Sequence, residues 1–318
     1  MLAILAPGQG AQTPGFLTPW LDVPGVAEHL EWLSAVAGLD LVRYGTQGSA
    51  EEIKDTAIAQ PLLVAAGLVS LGVLRPEGDV SRIAGVLAGH SVGELTAAAA
   101  AGVLSVEQAM VLVRERGRGM AAASAVTPTG MTAVLGGDRD RVLAAIAAHG
   151  LTAANDNGPG QIVAAGTMAQ LEALAADPPE KARLIPLSVA GAFHTHHMAP
   201  AVDALARLAT AITPADPAPR LLSNADGAVV ASGKDVLTRL VAQVSSPVRW
   251  DLCQQSLADL GVSAIIELLP GGTLTGLAKR ALRGVPSVAL KTPDDLDAAR
   301  ALLAAGPDRG SGSEGAST

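Results

Sequence analysis

The segment that most constrains this chain is Gly89-His90-Ser91-Val92-Gly93, which stands between an apolar run and an alanine-rich stretch. The run Ile83 to Ala88 is typical of a buried strand, and Glu94 to Ala101 is typical of a helix. A serine flanked by glycines at a strand-to-helix junction occupies a sharp, strained turn, because glycine removes the side chains that would clash there. The helix N-terminus favours negative charge near that serine. The pattern predicts that Ser91 is a nucleophile and that the Val92 amide stabilises an oxyanion.

A serine nucleophile needs a base, and the chain has six histidines. The His90 side chain adjoins the serine, but neighbouring side chains diverge at such a turn. His29 and His149 lie in predicted amphipathic helices, where packing or surface roles are expected. Three candidates remain after a predicted strand, and the pattern does not choose among them: His194, His196 and His197. Their spacing raises a metal site as an alternative, but no matching carboxylate or cysteine lies nearby, so we predict no metal.

Short apolar strands alternate with helices in most of the chain, which predicts an α/β fold with a parallel sheet covered on both faces. Between residues 127 and 192 the predicted order is β-α-β-β-α-β, which is typical of a ferredoxin-like unit. We therefore predict a large catalytic domain formed by residues 1–126 and 193–306, with residues 127–192 inserted as a subdomain. Residues 307–318 are rich in glycine and serine and predict a disordered tail.

Two helices have features that predict where they begin. Ser105, with Gln108 three residues later, is typical of an N-cap, and the helix is expected to run to about Met120. Pro61 to Leu74 predicts a buried helix with the proline in its first turn, where the missing N–H does no harm. That apolar run is shorter than the about 20 residues that a membrane-spanning helix needs. We therefore expect no association with a membrane.

Charge and cysteine content exclude several classes of protein. The net charge of −8 argues against nucleic acid as a general partner, because phosphate binding needs a basic surface. The single cysteine, Cys253, excludes an internal disulfide and a multi-cysteine metal site. A reducing, cytoplasmic setting is the simplest expectation. The apolar start, Leu2 to Ala6, has no preceding cationic segment and does not resemble a signal peptide.

Six motifs follow one another along the chain: Pro7-Gly8-Gln9-Gly10-Ala11-Gln12, Gly89-His90-Ser91-Val92-Gly93-Glu94, Arg114-Glu115-Arg116-Gly117, Asn155-Asp156-Asn157-Gly158-Pro159-Gly160-Gln161, Gly191-Ala192-Phe193-His194 and Glu267-Leu268-Leu269-Pro270-Gly271-Gly272. In this order they resemble the motifs of malonyl-CoA:acyl carrier protein transacylases and of the related acyltransferase domains in polyketide synthases. The resemblance extends from the first residues to about residue 305. It implies a hydrolase-like α/β domain with a ferredoxin-like insert, malonyl-CoA as a substrate, an acyl carrier protein as the partner, and no cofactor.

The resemblance also implies roles for single residues. Ser91 would carry malonyl as an ester, and His194 would be its base. The backbone carbonyl of Gln243 would orient that histidine, in the place that an aspartate takes in many serine enzymes. The amide of Gln9 would join that of Val92 in the oxyanion hole.

Further residues of the implied site concern the acyl group. Arg116 would bind the malonyl carboxylate, because a guanidinium binds a carboxylate through two parallel hydrogen bonds. His90, Asn155 and Asn157 would line the substrate pocket. Phe193 before the base resembles the malonyl-selective form of polyketide acyltransferases, where a ring would crowd a methyl branch.

Two other functions remain open at this point. A serine hydrolase would use the same turn, and would usually place an acidic partner between the serine and the histidine. The aspartates in that interval all lie in the predicted insert: Asp138, Asp140, Asp156 and Asp177. A scaffold subunit that keeps the shape without catalysis is the second alternative, and the joint presence of Ser91, His194 and Arg116 argues against it.

A basic patch would suit an acidic carrier protein. Lys279, Arg280 and Arg283 form a cationic cluster on a predicted helix, and Arg249 is expected nearby; a solvated helix face is the other interpretation. We expect a monomer that acts as a discrete enzyme. The sequence predicts a role in fatty acid synthesis and leaves a polyketide carrier open.

Overall fold

The computed structural model describes residues 1–75, 80 and 83–304. In that part of the chain ten strands form two five-stranded sheets, and twelve helices pack around them, which confirms the predicted α/β class. The strands are β1 (Leu2–Ala6), β2 (Val86–Gly89), β3 (Thr129–Gly136), β4 (Thr152–Asp156), β5 (Gln161–Thr167), β6 (Ala182–Pro186), β7 (Arg220–Leu221), β8 (Val248–Arg249), β9 (Ala264–Glu267) and β10 (Ser287–Ala289). The helices are α1 (Val26–Ala37), α2 (Leu41–Gln47), α3 (Thr56–Leu74), α4 (Gly93–Ala100), α5 (Val106–Ser124), α6 (Arg139–Ala148), α7 (Met168–Ala176), α8 (Ala199–Ala209), α9 (Gly233–Ala242), α10 (Trp250–Asp259), α11 (Thr273–Ala281) and α12 (Leu296–Ala304). The predicted tail, residues 307–318, lies outside the described residues.

The first sheet has the order β10-β9-β1-β2-β7, and all its strands are parallel. Every residue of β1 and β2 is buried, as expected for strands covered on both faces. Ala6 pairs with Gly89, so β1 and β2 end at the same edge of the sheet. The loop after β1 therefore runs beside the turn after β2, and the His90 amide donates to the Ala6 carbonyl (3.0 Å). This edge of the sheet brings Gln9 close to the predicted nucleophile.

The second sheet has the order β6-β3-β5-β4-β8. β3, α6, β4, β5, α7 and β6 follow one another in the predicted β-α-β-β-α-β order, and the strands β3 to β6 pair antiparallel. β8 comes from much later in the chain and joins β4 in parallel, which ties the two sheets together. Side chains alternate along β3: Val134 packs towards α6, whereas Met131 and Ala133 line a cavity on the opposite face.

α3 begins earlier than the sequence predicted. Asp55 caps it by accepting a hydrogen bond from the Ala57 amide, so Pro61 lies inside the helix and not in its first turn. The helix therefore has 19 residues, and by length and composition it is apolar enough to cross a membrane. Its side chains are nevertheless mostly buried against α1, α4 and α5. The burial of its side chains, and not its length, identifies α3 as the central helix of the large core.

α5 carries the predicted carboxylate-binding arginine. Ser105 and Gln108 form a complete capping box, which confirms the predicted start, but the helix continues past Met120 to Ser124. Gly117 lets α5 approach α3 closely, since a Cβ there would lie 2.8 Å from the Thr56 carbonyl oxygen. That close approach places the neighbouring Arg116 against the first turns of α3.

β2 is the other element whose start differs. It begins at Val86 and not at Ile83, which lies in a turn before it. The strand pairs only where β1 and β7 offer partners, and apolar character alone does not reveal those limits.

Candidate active site

Ser91 occupies strained backbone at the end of β2. Its φ is +53°, in the left-handed region that non-glycine residues rarely adopt. Both flanking glycines are required by sterics: a Cβ at Gly89 would overlap the backbone of Gly93, and one at Gly93 would overlap that of Ala6. The turn is closed by the Gly93 amide, which donates to the His90 carbonyl (2.9 Å). The sharp turn predicted from the glycine-flanked serine is therefore present.

The imidazole of His194 faces this serine. Its Nε2 lies 2.7 Å from Ser91 Oγ, and its Nδ1 lies 2.9 Å from the backbone carbonyl oxygen of Gln243. A carbonyl oxygen only accepts, so Nδ1 carries the proton and Nε2 presents a lone pair to the serine hydroxyl. His194 also has a left-handed φ of +60° and is buried. The group behind the imidazole is a carbonyl and not one of the aspartates that a hydrolase triad would use.

The other two histidines of the cluster point elsewhere. His196 and His197 lie on the short 3₁₀ turn His196–Met198, and their rings stack on each other at 4.1 Å. Within residues 1–75, 80 and 83–304, no group of three or more histidine, cysteine or acidic side chains is arranged to hold a metal ion. The geometry thus separates His194 from its neighbours, which the pattern alone could not do.

Burial keeps the His194 imidazole neutral. Loss of solvent, together with the smaller effect of the positive charge of Arg116, lowers the pKa of His194 to about 3. A neutral imidazole is able to accept the proton of the Ser91 hydroxyl as that oxygen attacks. The site therefore holds a base in its active protonation state at neutral pH.

Arg116 lies beside the nucleophile and is almost fully buried, at 3% exposure. Its Nη2 lies 3.4 Å from Ser91 Oγ and donates to Gln243 Oε1 (2.8 Å), and its Nη1 donates to Gln60 Oε1 (2.5 Å). Burial lowers the pKa of Arg116 to about 10, so the group remains cationic at neutral pH. No carboxylate among the described residues forms an ion pair with it. The site therefore presents a cation held only by neutral oxygens.

Three residues that sequence reasoning missed lie beneath the turn. Asn224 uses both side-chain groups on it: Oδ1 accepts from the Ser91 amide (2.8 Å), and Nδ2 donates to the Gly89 carbonyl (2.7 Å). Glu94 accepts from the Asn224 amide (2.5 Å) and from Gln243 Nε2. Gln60 is the third residue, bound to Arg116 as described above.

A weak signal in the sequence existed for these residues. Glu94 is an acidic residue inside an otherwise apolar helix, and Asn224 follows a predicted strand. Burial raises the pKa of Glu94, whereas the Asn224 amide and the charge of Arg116 favour the carboxylate and oppose that shift. Nothing local indicates that β7 lies beside β2, which is what brings Asn224 under the turn.

A cavity of about 340 Å³ opens in front of Ser91 and His194, between the two sheets. His90 forms its floor, with Nε2 2.8 Å from Asn157 Oδ1 and the ring edge against Trp250. All four residues predicted for the substrate pocket line it: His90, Asn155, Asn157 and Phe193. The loop of Gln9 forms another wall, and the Gln9 side chain is anchored on the Lys54 carbonyl (3.1 Å).

The four cations predicted for a carrier surface differ in their surroundings. Arg249 is engaged with Asp251 through two hydrogen bonds of 2.8 and 2.7 Å, so its charge is largely compensated. Lys279 and Arg280 are exposed in the last turn of α11, and Arg283 is exposed just after it. Earlier residues of α11 line the cavity: Thr273, Leu274 and Leu277. Two of the four cations therefore lie on the helix that lines the cavity, and a third follows it directly.

Comparisons with known proteins give matches over nearly the whole chain. Residues 6–303 match the acyl transferase domain family. The chain is 52% identical over 297 residues to the malonyl CoA-acyl carrier protein transacylase of Mycobacterium bovis, an alignment that covers 93% of this chain and 98% of that protein. The crystal structure of MCAT from Mycobacterium tuberculosis superimposes with a TM-score of 0.90 at 52% identity, covering 94% of this chain and 99% of that one. The structure of a type II PKS acyl-carrier protein in complex with its malonyl-transacylase superimposes with a TM-score of 0.87 at 31% identity. The alignment covers 94% of this chain and 99% of that chain.

Proposed function

Since this chain belongs to the malonyl CoA-acyl carrier protein transacylase family, we propose that Ser91 is the residue on which the malonyl group travels. The enzyme transfers malonyl from malonyl-CoA to an acyl carrier protein in fatty acid synthesis. The mechanism proposed for it is a ping-pong exchange in two half-reactions. Each half-reaction uses the Ser91 hydroxyl, the His194 imidazole and the Gln243 backbone carbonyl.

In the first half-reaction Ser91 Oγ attacks the thioester carbonyl carbon of malonyl-CoA. His194 Nε2, at 2.7 Å, accepts the hydroxyl proton, and the Gln243 carbonyl supports the imidazolium through Nδ1–H. The carbonyl oxygen becomes an oxyanion, which the amides of Val92 and Gln9 would stabilise. When the C–S bond breaks, the coenzyme A thiolate takes the proton from His194, and a malonyl ester remains on Ser91.

The second half-reaction reverses these steps with a different thiol. The phosphopantetheine thiol of the carrier gives its proton to His194 and attacks the ester carbonyl. The Ser91–acyl bond breaks, and the serine oxygen recovers the proton. Both transfers balance with one serine and one imidazole, so the proposal requires no cofactor.

The observation that carries the proposal is the buried guanidinium of Arg116 beside the nucleophile. A cation without a carboxylate partner is costly to bury, and a substrate carboxylate would supply that partner. An acetyl group has no carboxylate and would leave the arginine uncompensated. The arginine therefore selects malonyl over acetyl as well as binding it.

Phe193 contributes to selection at C2 of the acyl group. The ring is buried in the cavity wall next to the base, where it would crowd a methyl branch on C2 of malonyl. One methyl group changes discrimination only about 10-fold to 200-fold. A preference for malonyl over methylmalonyl follows, without strict exclusion.

The carrier surface, the two domains and the state of the protein in the cell complete the proposal. The carrier would dock over Lys279, Arg280 and Arg283, because an acidic carrier suits exposed cations beside the cavity. The parallel sheet with Ser91 at its edge supports a hydrolase-like large domain, and the strand order β6-β3-β5-β4 supports a ferredoxin-like small domain. A monomer in the cytoplasm is the state in which we propose it acts.

A product analysis tests the proposed reaction. The enzyme is incubated with malonyl-CoA, with and without a holo acyl carrier protein, and malonyl-carrier and free malonate are both measured. The proposal expects malonyl-carrier in proportion to the carrier added, with little malonate. Rapid release of free malonate without a carrier would indicate a thioesterase on the same serine and contradict the proposal.

A further inference from the structure

The side chain of Gln243 has a task separate from that of its backbone. Its carbonyl oxygen orients His194, whereas its Oε1 accepts from Arg116 Nη2 at 2.8 Å. Arginine has five N–H donors and no acceptor, so the atom of the amide that faces it must be the oxygen. The NH₂ group of the same amide then faces away from Arg116 and needs an acceptor in a buried site.

Glu94 supplies that acceptor. Its Oε2 accepts from Gln243 Nε2, and its Oε1 accepts from the Asn224 backbone amide (2.5 Å). The Gln243 NH₂ group also lies 3.2 Å from the Ser91 carbonyl oxygen and 3.3 Å from Asn224 Oδ1, both of which accept. Every group that faces the NH₂ is therefore an acceptor, and Glu94 makes the shortest contact. The carboxylate thus dictates which way the amide points.

The other side of Arg116 is built on the same principle. Gln60 presents Oε1 to Arg116 Nη1, and its Nε2 donates to Thr56 Oγ1 (2.8 Å). The Thr56 hydroxyl then donates to Gln9 Oε1 (2.9 Å). Two neutral amide oxygens thus fix the guanidinium while its positive charge stays available.

We propose that Glu94 is a positioning residue for malonyl recognition, which acts on Arg116 by fixing the amide orientation of Gln243. Glu94 lies one side chain away from the arginine, so it orients the fork without pairing with it. A carboxylate at position 243 would instead pair with Arg116 directly and compete with the substrate. The inference rests on the proposed role of Arg116 as the group that binds the malonyl carboxylate.

Glu94→Gln tests this, because it replaces an acceptor by a donor of nearly the same shape. A glutamine at position 94 has one oxygen for the two donors that face Glu94, so its NH₂ group must meet either the NH₂ group of Gln243 or the backbone N–H of Asn224. In the first case, turning the amide of residue 243 would set NH₂ against Arg116. In the second case, the repelled side chain shifts and its hydrogen bond to Gln243 weakens. We expect the ratio of kcat/KM for malonyl-CoA to that for acetyl-CoA to fall about 10-fold to 100-fold, the loss typical of one hydrogen bond to a charged group. Glu107→Gln, on the exposed start of α5, is the charge-matched control and should leave the ratio unchanged.

The double variant Glu94→Gln, Gln243→Glu separates orientation from a general loss of structure. It restores a donor–acceptor pair between residues 94 and 243, whereas Gln243→Glu alone sets two carboxylates against each other. In both variants the new carboxylate faces the Ser91 carbonyl oxygen and Asn224 Oδ1, so the double variant should have the higher thermal midpoint of the two. Its malonyl-to-acetyl ratio should stay low, because the new carboxylate pairs with Arg116. If Glu94→Gln fails to fold, a double variant more stable than Gln243→Glu supports the proposal.

Three results would overturn the inference. One is a wild-type ratio in Glu94→Gln, the second is a double variant no more stable than Gln243→Glu, and the third is a wild-type ratio in the double variant. Arg116→Ala distinguishes this failure from that of the proposed function. If Arg116→Ala lowers the ratio and Glu94→Gln does not, only the role of Glu94 fails; if neither lowers it, the arginine does not recognise malonyl.

Discussion

Arg116 Nη2 lies 3.4 Å from Ser91 Oγ, so a buried cation lies beside the oxygen atom to which the acyl group is expected to be attached. This arrangement joins recognition to chemistry, because an acyl group bound by its carboxylate has its thioester carbonyl delivered to the serine. The positive charge also disfavours protonation of His194, which adds to the effect of burial. In the proposed mechanism, the Arg116 side chain therefore binds the acyl group, orients it and helps to keep the His194 base neutral.

Arg116→Ala should reduce kcat/KM for malonyl-CoA by about 30-fold or more, because removing one partner of a buried, hydrogen-bonded charge pair costs about 2–5 kcal/mol. Acetyl-CoA should be affected far less, so the preference for malonyl should collapse. Arg116→Lys should recover little, since an ammonium group lacks the planar fork. Steady-state kinetics with both thioesters checks this, with the exposed Arg118→Ala on the same helix as the control. An unchanged malonyl preference in Arg116→Ala would remove the arginine from substrate binding.

The acylation step should be insensitive to mild acid. A histidine with its ordinary pKa of 6.5 would become protonated below that pH and stop acting as a base. Burial, with the charge of Arg116, lowers the pKa of His194 to about 3, so the neutral form persists from pH 7 down to pH 5. Values of kcat/KM for malonyl-CoA, which report the free enzyme, should stay level over that range. An acid limb with a midpoint between 6 and 7 would show that the base is a solvated histidine.

Asn224 is expected to support the strained turn. Asn224→Asp keeps an acceptor for the Ser91 amide but removes the donor to the Gly89 carbonyl. The variant should lose about 1–3 kcal/mol of unfolding free energy, because a buried carbonyl is left unsatisfied. Acylation should slow as well, since Ser91 is less firmly held. Denaturant unfolding and the rate of acyl-enzyme formation check this, and wild-type values for both would contradict the role.

The two half-reactions should respond differently to the surface charges of α11. Charge reversal in the pair Lys279→Glu, Arg280→Glu should slow transfer to the carrier by about 10-fold or more at low salt, because rim charges mainly affect association rates. Loading from malonyl-CoA should be spared. Arg207→Glu, exposed on α8, is the control. Equal loss in both half-reactions would indicate a damaged fold instead of a docking surface.

Local chemistry explains which parts of the structure could be predicted. The glycine-flanked turn and the Ser105–Gln108 cap depend on residues a few positions apart, and both appear as predicted. Pro61 was misplaced because the Asp55 cap, six residues earlier, determines where α3 begins. Each of those features is determined by residues that are only a few positions apart in the sequence.

The supporting contacts depend on distant segments and could not be read locally. Asn224 is 133 positions from Ser91, and they meet because β7 pairs with β2. Residue types and spacing left His194, His196 and His197 equivalent, and the family resemblance alone singled out the first. Glu94 was part of a recognised motif, but its partner Gln243 is 149 positions away. These contacts depend on the strand order, which sequence patterns do not determine.

Intact-mass analysis after mixing with malonyl-CoA, without any carrier, tests the central claim most directly. The wild-type protein should gain the mass of one malonyl group, and added holo carrier should remove it. Ser91→Ala should gain none while keeping its thermal midpoint, and Ser287→Ala, on β10, should behave as the wild type. A malonyl adduct on Ser91→Ala would contradict the account, because the acyl group would then travel on another residue.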